Sequence, residues 1–266
     1  MNQPQVHSAR DVAPSIDLVG TWIPIPGLGH FAVNAFLLHS REPVLIDAGI
    51  ANMHEPMFTA LKELIHPADI RWIYLTHVDG DHVGCLDEVL QQSPKARIVT
   101  TFLGMSKLGL TRHVPPDRFY LRNPGEQLDA GDRKLLVARP PCFDAPETTM
   151  LLDPKSGTLF SSDYFGGLVP APVESADQIP AAALREGMTK WLTVDSPWIH
   201  SVQPTLLRQA TRSVVELQPR TVLSTHLSPA RGMVETLSEN ILQAPGAPPF
   251  TGPDQIAFEQ MLSAMR

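Results

Sequence analysis

Residues 74–84 read Tyr74-Leu75-Thr76-His77-Val78-Asp79-Gly80-Asp81-His82-Val83-Gly84. Four metal-capable side chains (His77, Asp79, Asp81, His82) fall within six residues, after an apolar run and before a stretch of helical spacing. A strand end that feeds a tight glycine-containing turn aims alternate side chains at one point. His77 and Asp79 then face one centre, and Asp81 and His82 a neighbouring one. The plainer reading is a polar loop whose Asp caps the following helix. Further candidate ligands downstream, each at a strand end, weigh against it.

Working outward, the flanks alternate between strand and helix signals. Upstream, Ile16–Ile25 and Phe31–His39 read as strands joined by Pro26-Gly27-Leu28-Gly29, Pro43–Asp47 as a buried strand with a polar tip, and Glu55–Ile65 as a helix. Trp72–Leu75 is a strand, Val83–Gln91 a helix, Arg97–Thr101 a strand and Gly104–Leu110 a short helix. Residues 114–133 are rich in Pro, Gly, Asn and Asp and read as loop or edge structure. Leu135–Ala138, Thr148–Leu152 and Thr158–Ser161 read as strands, the last two joined by the Asp153–Gly157 turn. Residues 168–180 read as a surface loop or lid, and the remainder as helices over 181–193, 203–217, 233–244 and 254–264 around a strand at Thr221–Ser224. Strands followed by helices in both halves are compatible with an α/β fold of two stacked sheets, an αββα sandwich. The expected organisation is a loose arm over 1–15 and one domain over 16–266.

Composition narrows the function classes. The 266 residues carry a net charge of −7, 43% hydrophobic residues, ten His and two Cys. The acidic balance without a basic stretch argues against nucleic acid as a partner. No apolar run reaches the ~18 residues of a membrane helix, and residues 1–15 lack the apolar segment of a secretory signal, so the expected location is cytoplasmic. Two Cys exclude a disulfide framework, and any metal is held by nitrogen and oxygen.

The segment THVDGDHVG (76–84) resembles the HxHxDH signature of the metallo-β-lactamase superfamily. PVLIDAG (43–49), TLFSSDYFGG (158–167) and TVLSTHLSPARG (221–232) follow the order of that superfamily's other landmarks, so the resemblance runs from about residue 17 to 232. It implies an αββα metallo-β-lactamase sandwich with two metal ions at one edge. Carried over position by position, Asp81, His82 and His226 match one metal's ligands, His77 and Asp79 the other's, and Asp163 the bridging carboxylate. Asp47 matches a residue that steadies the metal loop.

Two departures refine the resemblance. Asp79 replaces the middle His, and the downstream His is missing from RPPCFDAPETTM (139–150). Asp144 stands at the best-matching place, with Glu147 as the alternative and a site one ligand short as a third reading. An acidic middle residue is similar to the HxExDH of flavodiiron proteins, whose further segments are echoed by AVNAFLL (32–38) and LFSSDYFGG (159–167). With no flavodoxin domain among the 266 residues, the resemblance is to the stand-alone, oxygen-binding diiron branch.

The donor set argues the same way. Three His and four Asp give four carboxylates, which balance two divalent ions. Such oxygen-rich sites suit Fe or Mn, whereas Zn leans on imidazole and thiolate, and their charge keeps metal-bound water a weaker acid than in a His-rich zinc site. The expected cofactor is two metal ions, with Fe ahead of Zn or Mn. The expected function is therefore non-haem diiron binding or reduction of O2 or NO, as a sensor or as an oxidoreductase with an external electron donor. The alternative is a dizinc or Zn/Fe hydrolase of lactonase, thioesterase or glyoxalase type, with Asp81 orienting a metal-bound hydroxide. Expected partners are dioxygen or another small molecule, an electron donor or signalling protein, and at most a second copy of the chain as a homodimer.

Other residues carry weaker signals. Tyr164 is a candidate catalytic neighbour of Asp163, with a packed aromatic as the plainer reading. His30, His113 and His200 are candidates for the site mouth, whereas His7, His39, His54 and His66 read as surface residues. Cys85 and Cys142 read as buried thiols rather than a redox pair. Met188, Trp191 and Trp198 read either as an apolar wall over the metals or as core.

Overall fold

The computed structural model describes residues 5, 6 and 9–264. Its first sheet contains β1 (Gln5–Val6), β2 (Arg10–Ala13), β3 (Ile16–Ile25), β4 (Gly29–Leu38), β5 (Val44–Ile46), β6 (Trp72–Tyr74), β7 (Arg97–Thr100) and β8 (Phe119–Leu121). Its second contains β9 (Gln127–Asp129), β10 (Lys134–Ala138), β11 (Met150–Asp153), β12 (Thr158–Phe160), β13 (Thr221–Leu223) and β14 (Ala230–Arg231). The order is β1-β3-β4-β5-β6-β7-β8, with β2 also on β3, and β14-β13-β12-β11-β10-β9. Strand β3 is antiparallel to β4 over ten residue pairs, while β5, β6, β7 and β8 pair in parallel, as do β12 and β13.

Period-two alternation sorts the strand residues into three cores. Phe36, Leu38, Val44, Ile46, Trp72 and Tyr74 meet Leu135, Val137, Leu151, Phe160 and Leu223 between the sheets. Their neighbours Ala35, Leu37, Leu45 and Ile73 turn outward onto Met57, Phe58 and Leu61 of α1 (His54–Leu64) and Leu86 and Val89 of α2 (Leu86–Gln92). On the other side, Met150, Leu152, Leu159 and Val222 pack against α4 (Ala181–Asp195), α5 (Pro204–Val215) and α6 (Val234–Ile241) through Met188, Leu192, Leu207, Val214 and Leu237. Helix α3 (Phe102–Leu108) follows β7, and α7 (Gln255–Ala264) ends the described chain. The result is the αββα sandwich. Among the described residues no helix is long and apolar enough to cross a membrane.

The element order agrees with the sequence reading, and two differences have physical causes. The arm expected over residues 1–15 is not loose where it is described: Arg10–Ala13 pairs antiparallel with β3. Val12 and Ala13 are buried between the sheets, and Arg231 donates to the Val12 carbonyl. Burial of two apolar side chains thus covers part of a sheet edge. The helix expected from Val83 begins at Leu86, because residues 81–85 are held in a turn by Asp47 and its neighbours.

Candidate metal centre

The loops that leave β5, β6, β12 and β13 at their C-terminal ends, and the loop entering β11, converge on one edge of the sandwich. The first delivers Asp47, which adopts a left-handed backbone conformation (φ 58°). Buried at 1% exposure, Asp47 is a hub. Its Oδ1 accepts from the Thr76 amide at 2.8 Å, and its Oδ2 meets the Thr76 hydroxyl at 2.8 Å and His82 Nδ1 at 2.9 Å. Ser162, also left-handed at φ 56°, donates to Thr76 Oγ1 and accepts from His77 Nδ1 at 3.2 Å. His226 Nδ1 donates to the Ala32 carbonyl at 2.7 Å. Its loop is tied to β4 by Asn34, whose amide donates to the Ser224 and Leu227 carbonyls. Each imidazole is thus anchored through Nδ1, which turns its Nε2 toward a common space.

Asp163 fills that space. Its Oδ1 lies 3.0 Å from His82 Nε2 and 2.9 Å from His226 Nε2, and its Oδ2 lies 3.4 Å from His77 Nε2. Asp81 joins on the His226 side, with Oδ2 3.4 Å from Nε2. Asp81, His82 and His226 offer mutually close ligand atoms, and so do His77, Asp79 and Asp144. These two groups define an inner and an outer position, with the two Asp163 oxygens facing one each.

The electrostatics test whether metal suits the site. His82 Nε2, His226 Nε2 and Asp163 Oδ1 are buried without a hydrogen-bond partner among the described residues. With protons on the Nδ1 atoms, two lone pairs point at a carboxylate oxygen about 3 Å away, which only a proton or a metal cation relieves. Burial opposes charge on His82, yet Asp163, Asp47 and Asp81 hold its pKa well above the ordinary value. His226 is likewise raised by Asp163 and Asp81 against burial. Burial also opposes charge on Asp163, but His77, His226 and His82 hold it well below the usual range. The three imidazoles and the carboxylates around them therefore fit a pair of metal cations.

Asp144 is exposed but lies with His77 and Asp79. Burial of its carboxyl and the nearby Asp163 and Asp79 charges raise its pKa. Glu147, its alternative, is 1% exposed and instead pairs with Lys107 Nζ at 2.7 Å. Tyr164 does not face the cluster. Its hydroxyl donates to Thr211 at 3.3 Å and its ring packs in the helix-side core. The Asp163–Tyr164 pair lies between two left-handed residues, Ser162 and Phe165. Burial raises the Tyr164 pKa strongly, which together with its placement removes it from the catalytic candidates.

Two residues beside the site carry no sequence signal of their own. Lys107 of α3 reaches Asp79 Oδ1 at 2.8 Å. Asp195, at the end of α4, brings a carboxylate close to Asp144 and Asp163. Burial and those two negative neighbours push the Asp195 pKa up to about 8. Neither neighbourhood is local in sequence, and only the fold assembles them.

Phe31 stacks on His226 with ring centroids 4.1 Å apart, and Trp191 lies 4.8 Å from the same ring while its Nε1 donates to the Asp163 carbonyl. Trp191 is therefore a wall of the site. Met188 belongs to the core, and Trp198 packs on Phe143 beside Asp144. His30 is held by the Pro170 carbonyl, His39 pairs with Asp17, and His54, His66 and His113 are exposed. His200 is partly buried, with Nε2 lacking a hydrogen-bond partner among the described residues. His7 lies outside the described residues. Cys85 and Cys142 are buried thiols in separate cores, each pushed up to about 12, chiefly by burial.

Comparison with known proteins places this geometry among relatives. The family profile "ODP family beta lactamase" matches residues 31–226. An uncharacterized protein of Methanocaldococcus jannaschii is 30% identical over 133 residues, covering 50% of this chain and 34% of that protein. An anaerobic nitric oxide reductase flavorubredoxin of Salmonella typhi is 31% identical over 134 residues, covering 50% and 28%. The chain thus spans about a third or less of these relatives' lengths. Rubredoxin oxygen:oxidoreductase from Desulfovibrio gigas shares the fold with a TM-score of 0.75 at 20% identity, over 90% of this chain and 61% of that one. A flavoprotein from Thermotoga maritima does so at 0.77 and 20% identity, over 93% and 63%.

Proposed function

The chain belongs to the ODP family of β-lactamase-type domains, and from that premise we propose a non-haem diiron protein that binds or reduces O2 or NO. His77, Asp79 and Asp144 would hold an outer iron and Asp81, His82 and His226 an inner one, with the Asp163 carboxylate available to both. When bound, the iron pair supplies a site where a small diatomic molecule can bind and accept electrons. Electrons come from an external donor, as the name of the Desulfovibrio relative suggests for that protein.

The observation that carries this reading is the donor set. The buried, unpartnered Nε2 atoms of His82 and His226 and Oδ1 of Asp163 converge, and four aspartates against three imidazoles give the oxygen-rich site that favours iron over zinc. The chain's own residues do the rest. The Asp47, Thr76 and Ser162 network fixes two imidazoles, and the Phe31 and Trp191 rings cover His226 and keep water from that side. Asp79 and Asp144 line the accessible side, the route for a small molecule.

Loaded anaerobically with Fe(II) and then exposed to air, the protein is expected to develop a near-ultraviolet or visible band that His82→Ala abolishes. Robust cleavage of a chromogenic ester or lactone by the zinc-loaded protein, with no band from the iron form, would replace this reading with the hydrolase.

A further inference from the structure

The outer position contains a charge that the metal ligands do not account for. Lys107 Nζ lies 2.8 Å from Asp79 Oδ1 and 2.7 Å from Glu147 Oε1. Glu147 is 1% exposed, and neither of its oxygens has a well-angled hydrogen bond among the described residues. Asp79 differs: its side chain is 41% exposed and sits on the turn after β6. Lys107 thus bridges a buried anion and a partly exposed one. A carboxylate on a one-carbon stem, half in water, has several rotamers to lose on binding a cation. A brace on one oxygen leaves the other free to face His77 and Asp144.

We propose that Lys107, anchored by Glu147, is a positioning residue for the outer metal: it holds the Asp79 carboxylate in the ligating orientation. This rests on the metal-centre reading above. The pair is suited to the task because it is neutral as a unit. A lone lysine a few ångströms from a divalent cation would repel it. The Glu147 charge offsets that repulsion and leaves the geometric effect. Glu147 therefore anchors the lysine instead of ligating, and Asp144 is left to replace the missing histidine.

The test is anaerobic equilibrium dialysis of the full chain against Fe(II), with bound iron measured as two separate affinities. Lys107→Met alone would strand a buried carboxylate, so the informative variant is the charge-neutral pair Lys107→Met/Glu147→Gln. It is expected to bind the outer iron 10–100-fold more weakly, with the inner affinity unchanged as the internal control. Lys107→Arg, which keeps the bridge, is expected to restore at least half of the loss on a logarithmic scale. If wild-type protein takes up two irons and the double variant keeps the wild-type outer affinity, this inference is overturned while the diiron reading stands. An equal loss at both positions also overturns it, since that marks general disruption. If wild-type protein takes up no iron, the metal-centre reading fails and this inference with it.

Discussion

Asp47 touches neither metal position, yet its two oxygens take the Thr76 amide, the Thr76 hydroxyl and His82 Nδ1. Removing it leaves His82 Nδ1 with only the Thr76 hydroxyl, 3.2 Å away, and Thr76 without its acceptor. Asp47→Ala is therefore expected to weaken metal binding 10–100-fold, as read by competition with a chelator, and an unchanged affinity would refute the hub. The raised pKa values of His82 and His226 predict a pH dependence of the metal-free fold. Their protonated forms stabilise it fully below the ordinary imidazole value of 6.5, and that contribution is lost as pH rises through the higher folded values. The lowered Asp163 acts in the opposite sense: its contribution is present above 3.8 and lost as pH falls through the folded value. Chelated protein is thus expected to melt highest in mild acid and to lose stability on the alkaline side. Metal-loaded protein keeps its melting temperature there, because metal replaces the protons on Nε2. Superimposable pH profiles of melting temperature for the two forms would contradict this.

Among the elements, the turn between β6 and α2 carries the most design. Its two glycines serve different ends. A Cβ at Gly84 would sit 2.2 Å from the Ala51 amide nitrogen and 2.3 Å from the Ile50 carbonyl carbon, because the turn packs backbone to backbone on the segment after β5. A Cβ at Gly80 would meet nothing within 4 Å. Gly84→Ala is accordingly expected to cost about 3 kcal/mol by displacing that segment, and Gly80→Ala no more than about 0.5 kcal/mol. Urea denaturation compares them, and equal costs would show that the close approach is not needed. Strands β4, β5 and β6 are legible in the sequence because they alternate cleanly between two apolar faces. Arg10–Ala13 is not, because only Val12 and Ala13 mark a strand and its pairing is set by β3. β8 and β9, edge strands of three residues, fall in the 114–133 stretch that reads as loop or edge structure.

Across the whole molecule, the centre sits where both sheets end. His77, Asp79, Asp81 and His82 come from the first sheet's loop, and Asp163 and His226 from the second's. A spaced motif made the first four readable, and the ends of apolar runs made the last two readable. Asp144 was readable only as a substitute for an expected histidine. Lys107 and Asp195 were not readable at all, since α3 and α4 reach the centre through packing. For Tyr164 the plainer reading, a packed aromatic, holds: its ring lies in the helix-side core and its hydroxyl meets Thr211, since adjacency to Asp163 in sequence does not fix a side chain's direction. The proposed function rests on one claim: a paired, carboxylate-rich centre that selects iron. Elemental analysis of anaerobically purified protein tests it most directly. The expected result is about two Fe per chain, falling to about one or less in His82→Ala. Stoichiometric zinc with little iron, or less than one metal ion per chain, would contradict it.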